Sequence, residues 1–209
     1  MPIINFSKGA VKPIRRVAFD HIKTLHSNAP MTREKHDAIM EELILYFSAP
    51  PVRRPAASAL EWVARAVPAQ DVRAYLCYLW VSPEGVAYGT DGHRAHFAAV
   101  EGIAPGFYDP KTLKPAEVDG KYPDINSLMP KKWPDSSAAL VDLERKLLVN
   151  DGEDRPIYSH GAASVMQVYL NDALNGCEAM PIEIHGEGGS AKWVGVNEYG
   201  SYLIMGLRV

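Results

Sequence analysis

Thr90, Asp91, Gly92, His93, Arg94 and His96 fall within one short run, Ala87 to Phe97, which reads AYGTDGHRAHF. Two chemistries are open to that set. A carboxylate and two imidazoles are potential metal ligands, and Asp91 beside His93 could act as an acid–base pair. The other reading is recognition, in which a rigid loop offers the Thr, His and Arg side chains as hydrogen-bonding tips to a partner. His93 and His96 are three residues apart where a turn enters a strand, so their rings should point in different directions. His160 and His185 are far along the chain, and no further ligand is nearby. The metal-dependent enzyme is therefore the weaker expectation, and no metal or cofactor is expected.

The elements that position this run can be read from local chemistry. Thr-Asp-Gly places two side chains that bond local backbone before a residue that tolerates positive φ, so a strand beginning near Gly85 should end in an ordered turn. Val86 to Gly89 reads as the strand entering the turn and Ala95 to Val100 as the strand leaving it. Tyr75 to Val81 is a continuous apolar run, expected as a buried strand. Before it, Ala56 to Val67 reads as a helix with Leu60, Val63, Ala64 and Val67 inward and Pro68 as its stop. Residues 102 to 135 are rich in Gly and Pro and read as a long connection.

The second half repeats this outline. A strand pair is expected around Leu140 to Val149 and Arg155 to Tyr158, turned at Asn150-Asp151-Gly152. A helix from Ala162 to Asn175, with Gly176 as C-cap, follows. Ile182 to His185 and Lys192 to Val196 read as a hairpin and Tyr202 to Leu207 as a last strand. HGEGGS sits between strand-like runs, whereas a phosphate cradle needs its glycines before a helix; it is expected to be a hairpin turn. Thr32 to Phe47 has helical spacing at Ile39, Met40, Leu43, Tyr46 and Phe47, stopped by Pro50-Pro51.

Composition narrows the class. The 209 residues are 47% hydrophobic and 22% charged, enough apolar content for a good core in one or two domains. The two cysteines, Cys77 and Cys177, have no CxxC spacing, so reduced thiols are the default. No signal-like leader or membrane-length run is visible, and a cytoplasmic location is expected. A net charge of −3 argues against a surface that grips nucleic acid everywhere. The basic pairs Arg15-Arg16, Arg53-Arg54 and Lys131-Lys132 each lie near proline and read as solvated loop residues.

The TDGHR run resembles the ATDGHRL stretch of the bacterial DNA polymerase III sliding clamp, the β subunit. The resemblance extends to Asp71-Val72-Arg73-Ala74-Tyr75-Leu76, to Val118-Asp119-Gly120-Lys121-Tyr122-Pro123-Asp124 with Leu128-Met129-Pro130, to Val168-Tyr169-Leu170-Asn171-Asp172-Ala173-Leu174, and to the closing Ser201 to Val209. These short matches occur in the family's order. The chain is too short for the family's three domains, and what remains looks like one half from each of two neighbouring domains.

The resemblance implies an α+β, DNA clamp-like fold of two half-domains, each a helix plus an antiparallel sheet. They would span about 56–105 and 136–209 within a clamp-like domain of 56–209, after a 1–55 extension carrying one amphipathic helix. It further implies a non-enzymatic protein-interaction module of DNA replication or repair. Its partners would be a DNA polymerase or other proteins carrying a clamp-binding motif. The groove residues carried over are Thr90, Gly92, His93, Arg94, Pro123, Leu128, Met205, Leu207 and Arg208. Ala95 stands where the family has leucine, widening the pocket. Gly206 stands where it has proline, loosening the tail. Asn126 and Ser127 replace basic residues.

The alternative implied role is a processivity factor encircling double-stranded DNA as a homo-oligomeric ring, with Arg53, Arg54 and Arg65 as phosphate contacts. The helix at 162–175 carries no Lys or Arg, which makes poor lining for a DNA channel. The reduced size suggests a phage-encoded relative.

Overall fold

The computed structural model describes residues 32–33, 55–132, 134–150, 153–177 and 180–208, and the described residues from 55 onward belong to one compact unit. The helix expected from Thr32 to Phe47 and the basic pairs at 15–16 and 53–54 lie outside the described residues, Thr32 and Arg33 excepted.

The first described helix is α1, Ala59–Ala64, shorter than its sequence pattern. Ser58 sets its start: its hydroxyl accepts from the Glu61 N–H, and Glu61 reaches back to the Ala57 N–H. Trp62 and Val63 are fully buried; the pattern missed Trp62 as the main inward residue. A 3-10 turn at Ala74–Cys77 follows, where a strand from Tyr75 was expected, and only its end is extended as β1, Leu79–Val81. Then come β2 (Val86–Thr90), β3 (Arg94–Ala99), β4 (Gly106–Tyr108) and β5 (Pro115–Ala116). The Gly/Pro-rich connection thus contributes two short strands and a 3-10 turn at Asn126–Leu128.

The second part holds β6 (Ser136–Ala138), β7 (Glu144–Asn150), β8 (Glu153–His160) and β9 (Ala163–Met166). Then come α2 (Gln167–Leu174), β10 (Ile182–His185), β11 (Lys192–Val196) and β12 (Ser201–Met205). The helix expected from Ala162 is overturned in its first turn. Ala163–Met166 pairs antiparallel with β8 as a strand, and only then does the chain turn helical. Asn175, at φ 52°, ends α2 in the left-handed conformation, one residue before the glycine expected there. The HGEGGS run is a hairpin connection between β10 and β11.

Nine of the described strands form one sheet in the order β5-β4-β1-β2-β3-β12-β11-β10-β6, and β7, β8 and β9 form a second. The seam between the early and late strands is the antiparallel pairing of β3 with β12, which sets His96 opposite Tyr202 and Ala95 opposite Leu203. Because side chains alternate along a strand, register assigns each residue a face. His96, Ala98, Tyr202 and Ile204 join Trp62, Val63, Leu170 and Leu174 in burial on the helix side. Tyr88, Ala95, Phe107, Tyr122 and Ile125 form a smaller core on the other face, beneath the connection.

Gly89 is where α1 meets the sheet. A Cβ there would run into the Val63 carbonyl oxygen, which is backbone and cannot swing aside, and would meet Val67 Cγ2 at 3.1 Å. Gly89→Ala should therefore cost about 1–3 kcal/mol by overpacking and lower the thermal midpoint by several degrees. A midpoint equal to wild type would show that α1 is not seated as described.

Candidate functional site

The TDGHR turn is built by its own side chains. Asp91 Oδ1 accepts from the His93 and Arg94 amides at 2.9 and 3.0 Å, and Thr90 Oγ1 donates to the Arg94 carbonyl at 2.6 Å while accepting from the Gly92 amide. Gly92 has φ 88°, which favours glycine. The Arg73 guanidinium lies against Gly92, where an added Cβ would stand 3.2 Å from Nη2. Asp71 pairs with Arg73 at 3.0 Å, and that contact holds its carboxyl down at about 2.

Beside this turn is a depression of about 210 Å³. The turn supplies Thr90, Gly92, His93 and Arg94, the sheet supplies Ala95, Leu203 and Met205, and the connection supplies Ile125 and Leu128. Six of the residues proposed from the sequence are thus brought together: Thr90, Gly92, His93, Arg94, Leu128 and Met205. Pro123, Leu207 and Arg208 are not among the lining residues. Pro123 is exposed two residues before Ile125, and the Leu207 amide is tied to the Ser164 carbonyl at 2.8 Å. Arg208 packs over Gly189. Ile125 and Leu203 went unnoticed in the sequence. The period-two spacing of Leu203 and Met205 was a usable signal, because it puts both on one face of the last strand.

Arg94 is not free to serve the depression with its guanidinium. Register puts its side chain on the helix side with His96, two residues on. There Nη1 donates to Asp172 at 2.8 Å, Nη2 to the Arg65 carbonyl at 2.7 Å and Nε to Asp91 at 3.1 Å. The guanidinium carbon also stands 4.5 Å from the centre of the Tyr169 ring. Arg94 therefore bolts the turn to both helices.

Arg65 is likewise engaged. It donates to Asn175 Oδ1 at 2.8 Å, the same oxygen that accepts from the Ala56 amide. Its head is held at the end of α2, and α2 itself, QVYLNDAL, carries no cation. Arg53 and Arg54 lie outside the described residues.

Asp91, His93 and His96 do not converge. Asp91 is occupied by the turn and Arg94, and His93 is exposed. His96 is fully buried on the opposite face, stacked on Trp62 at 4.5 Å with Nδ1 3.0 Å from the Trp62 carbonyl. A carbonyl only accepts, so Nδ1 carries the proton. Burial, reinforced by Arg94 and Arg65, pushes the His96 pKa down to about 3. Among the described residues, no group of three or more His, Cys, Asp and Glu could hold a metal ion, and no helix is long and apolar enough to cross a membrane.

The C-terminal tail is seated tightly where proline was expected from the resemblance and glycine was expected to loosen it. The Gly206 amide donates to the Ala191 carbonyl at 2.7 Å, a bond proline cannot make, and a Cβ at Gly206 would lie 2.5 Å from the Gly188 carbonyl oxygen. Gly206 is the residue that permits this close approach.

Neither a protein-family model nor a curated protein matches the sequence. Solved structures do match. One is the Helicobacter pylori beta clamp bound to a DNA ligase peptide, with a TM-score of 0.50 at 13% identity, covering 77% of this chain and 68% of the clamp chain. The chain has a clamp-like, α+β fold.

Proposed function

We propose that this chain is a protein-interaction module of DNA replication or repair that captures short peptide motifs in the depression between the TDGHR turn and the last strand. The observation that carries the reading is the joining of three separate segments, the turn, β12 and the 125–128 connection, around an apolar floor of Ala95, Ile125, Leu203 and Met205. The depression is open to solvent and far too small to enclose a whole small ligand, whose sites run to roughly 300–1,000 Å³. It suits one or two anchoring side chains of an extended peptide, with the methionine thioether adapting to their shape. The fold likeness to a clamp whose structure holds a DNA ligase peptide supports partners that carry such motifs. DNA encirclement is less favoured, because Arg65 is tied to Asn175 and α2 offers no cation to phosphate.

The test is a fluorescence polarisation titration with that ligase peptide, alongside a primed DNA duplex. Saturable peptide binding is expected. Leu128 is 44% exposed at the rim, so Leu128→Asp should leave the thermal midpoint unchanged. It should weaken the peptide by about ten-fold or more, since it removes buried apolar area and adds a charge to be desolvated. Equal binding by a folded Leu128→Asp protein would remove the depression as the site.

A further inference from the structure

Resting on that reading, we infer that the turn between β10 and β11, together with Lys192, holds both lips of the depression at their working separation. The turn touches each lip by a different contact. On the tail side, the Gly188 and Ala191 carbonyls crowd Gly206, the Ala191 carbonyl accepts its amide, and Gly189 leaves room for Arg208 to cross. This anchors the chain immediately after Met205, whose own amide donates to the His93 carbonyl at 2.8 Å.

On the other side, Lys192 stands directly opposite Met205 in the β11–β12 register, so both side chains leave the same face of the sheet. The Lys192 ammonium then reaches across to the Leu128 carbonyl at 2.6 Å. Those two residues are 64 positions apart in sequence, and Leu128 sits on a 3-10 turn that Asn126 also ties to the sheet by donating to the Tyr88 hydroxyl at 3.1 Å. One aliphatic stem with one donor therefore spans from the Met205 wall to the Leu128 wall. Lys192 is a positioning residue: its ammonium is used on the rim's own backbone, and its effect on a ligand passes through Leu128.

Lys192→Met keeps the stem and removes the donor, while Lys192→Arg restores a donor. Two readouts separate the inference from the reading beneath it. The first is hydrogen exchange of the amides within the 124–130 segment, Pro130 having none, in the protein alone. Exchange should quicken in Lys192→Met and return toward wild type in Lys192→Arg, with the thermal midpoint unmoved. The second is affinity for the DNA ligase peptide, expected to fall about three- to ten-fold in Lys192→Met and to recover in Lys192→Arg.

Gly189→Ala tests the tail lip. Its Cβ would meet Arg208 Cα at 3.0 Å, and exchange at 203–208 should rise with a matching loss of affinity. Unchanged exchange at 124–130 in Lys192→Met overturns the inference whatever the peptide does. Faster exchange there with peptide affinity equal to wild type also overturns it. Wild-type protein that binds no peptide sinks the proposed function, while the exchange comparison still decides whether Lys192 holds the lip.

Discussion

Arg94→Ala is expected to lower the unfolding free energy by about 3–5 kcal/mol, the usual cost of removing one member of a buried, hydrogen-bonded ion pair. Arg94 and Asp172 are 10% and 4% exposed in their side chains, so the pair lies in a region where water screens little. The same guanidinium caps the Arg65 carbonyl and lies over Tyr169, so the loss extends beyond one bond. With typical domain stabilities of about 5–15 kcal/mol, the urea midpoint should fall by a large fraction. Arg94→Lys should recover little of it, because an ammonium cannot reproduce the planar fork that meets Asp91, Asp172 and the Arg65 carbonyl together. In a double-mutant cycle with Asp172→Ala, the paired loss should be well below the sum of the single losses.

That expectation changes how binding data at Arg94 would be read. The clamp resemblance places this arginine among peptide contacts, whereas its guanidinium here is spent on the two helices. Loss of peptide binding in Arg94→Ala would report a loosened turn. An unchanged urea midpoint together with lost peptide binding would reverse this, and would return the guanidinium to the ligand.

Acid should unfold the protein through His96. The imidazole is neutral when folded, with a pKa held to about 3, against an ordinary value of 6.5 when unfolded. The unfolded state therefore binds more protons between those limits. His96 costs nothing above about pH 6.5, and stability falls by about 1.4 kcal/mol for each pH unit below it until the folded group itself titrates near 3. Between pH 7 and 4.5 the loss amounts to roughly 2–3 kcal/mol by that slope.

The physical origin is specific. Protonation would put a charge on Nε2, which is buried with no hydrogen-bond partner among the described residues, against a ring stacked on Trp62. His96→Phe keeps the stacking surface and removes the titration. Its urea midpoint should decline less steeply than wild type from pH 7 to 4.5, with the carboxylates common to both cancelling in the difference. Parallel profiles for the two proteins would mean that His96 is not the acid-sensitive group.

His96 shows how far sequence spacing carries. A three-residue interval where a turn enters a strand already points the His93 and His96 rings in different directions, but types and intervals carry no record of which face each residue takes. Once β3 is placed in register between β2 and β12, alternation sends Arg94, His96 and Ala98 to the helices and Ala95 to the depression. The choice of face follows from which side of the sheet receives α1 and α2, a decision made by contacts more than 60 residues apart, such as Arg94 with Asp172.

The strand at Ala163–Met166 has a similar cause. Its apolar spacing also suits the first turn of a helix, and pairing with β8 settles the matter through hydrogen bonds that local propensity does not contain.

Much was nonetheless local. Thr90, Asp91 and Gly92 contain their own turn, since the side-chain oxygens, the backbone amides and the positive-φ glycine lie within five consecutive residues. The β10–β11 hairpin was legible for the same reason, from alternation on either side of a glycine-rich turn. The order of the short clamp-like matches was enough to suggest a clamp-like fold. What the sequence alone determined is therefore the chemistry available at each short element. Only the tertiary structure decided that Ile125 and Leu203 complete the floor, that Arg94 turns inward, and that Lys192 reaches Leu128. Those outcomes depend on register and long-range packing, which no local window holds.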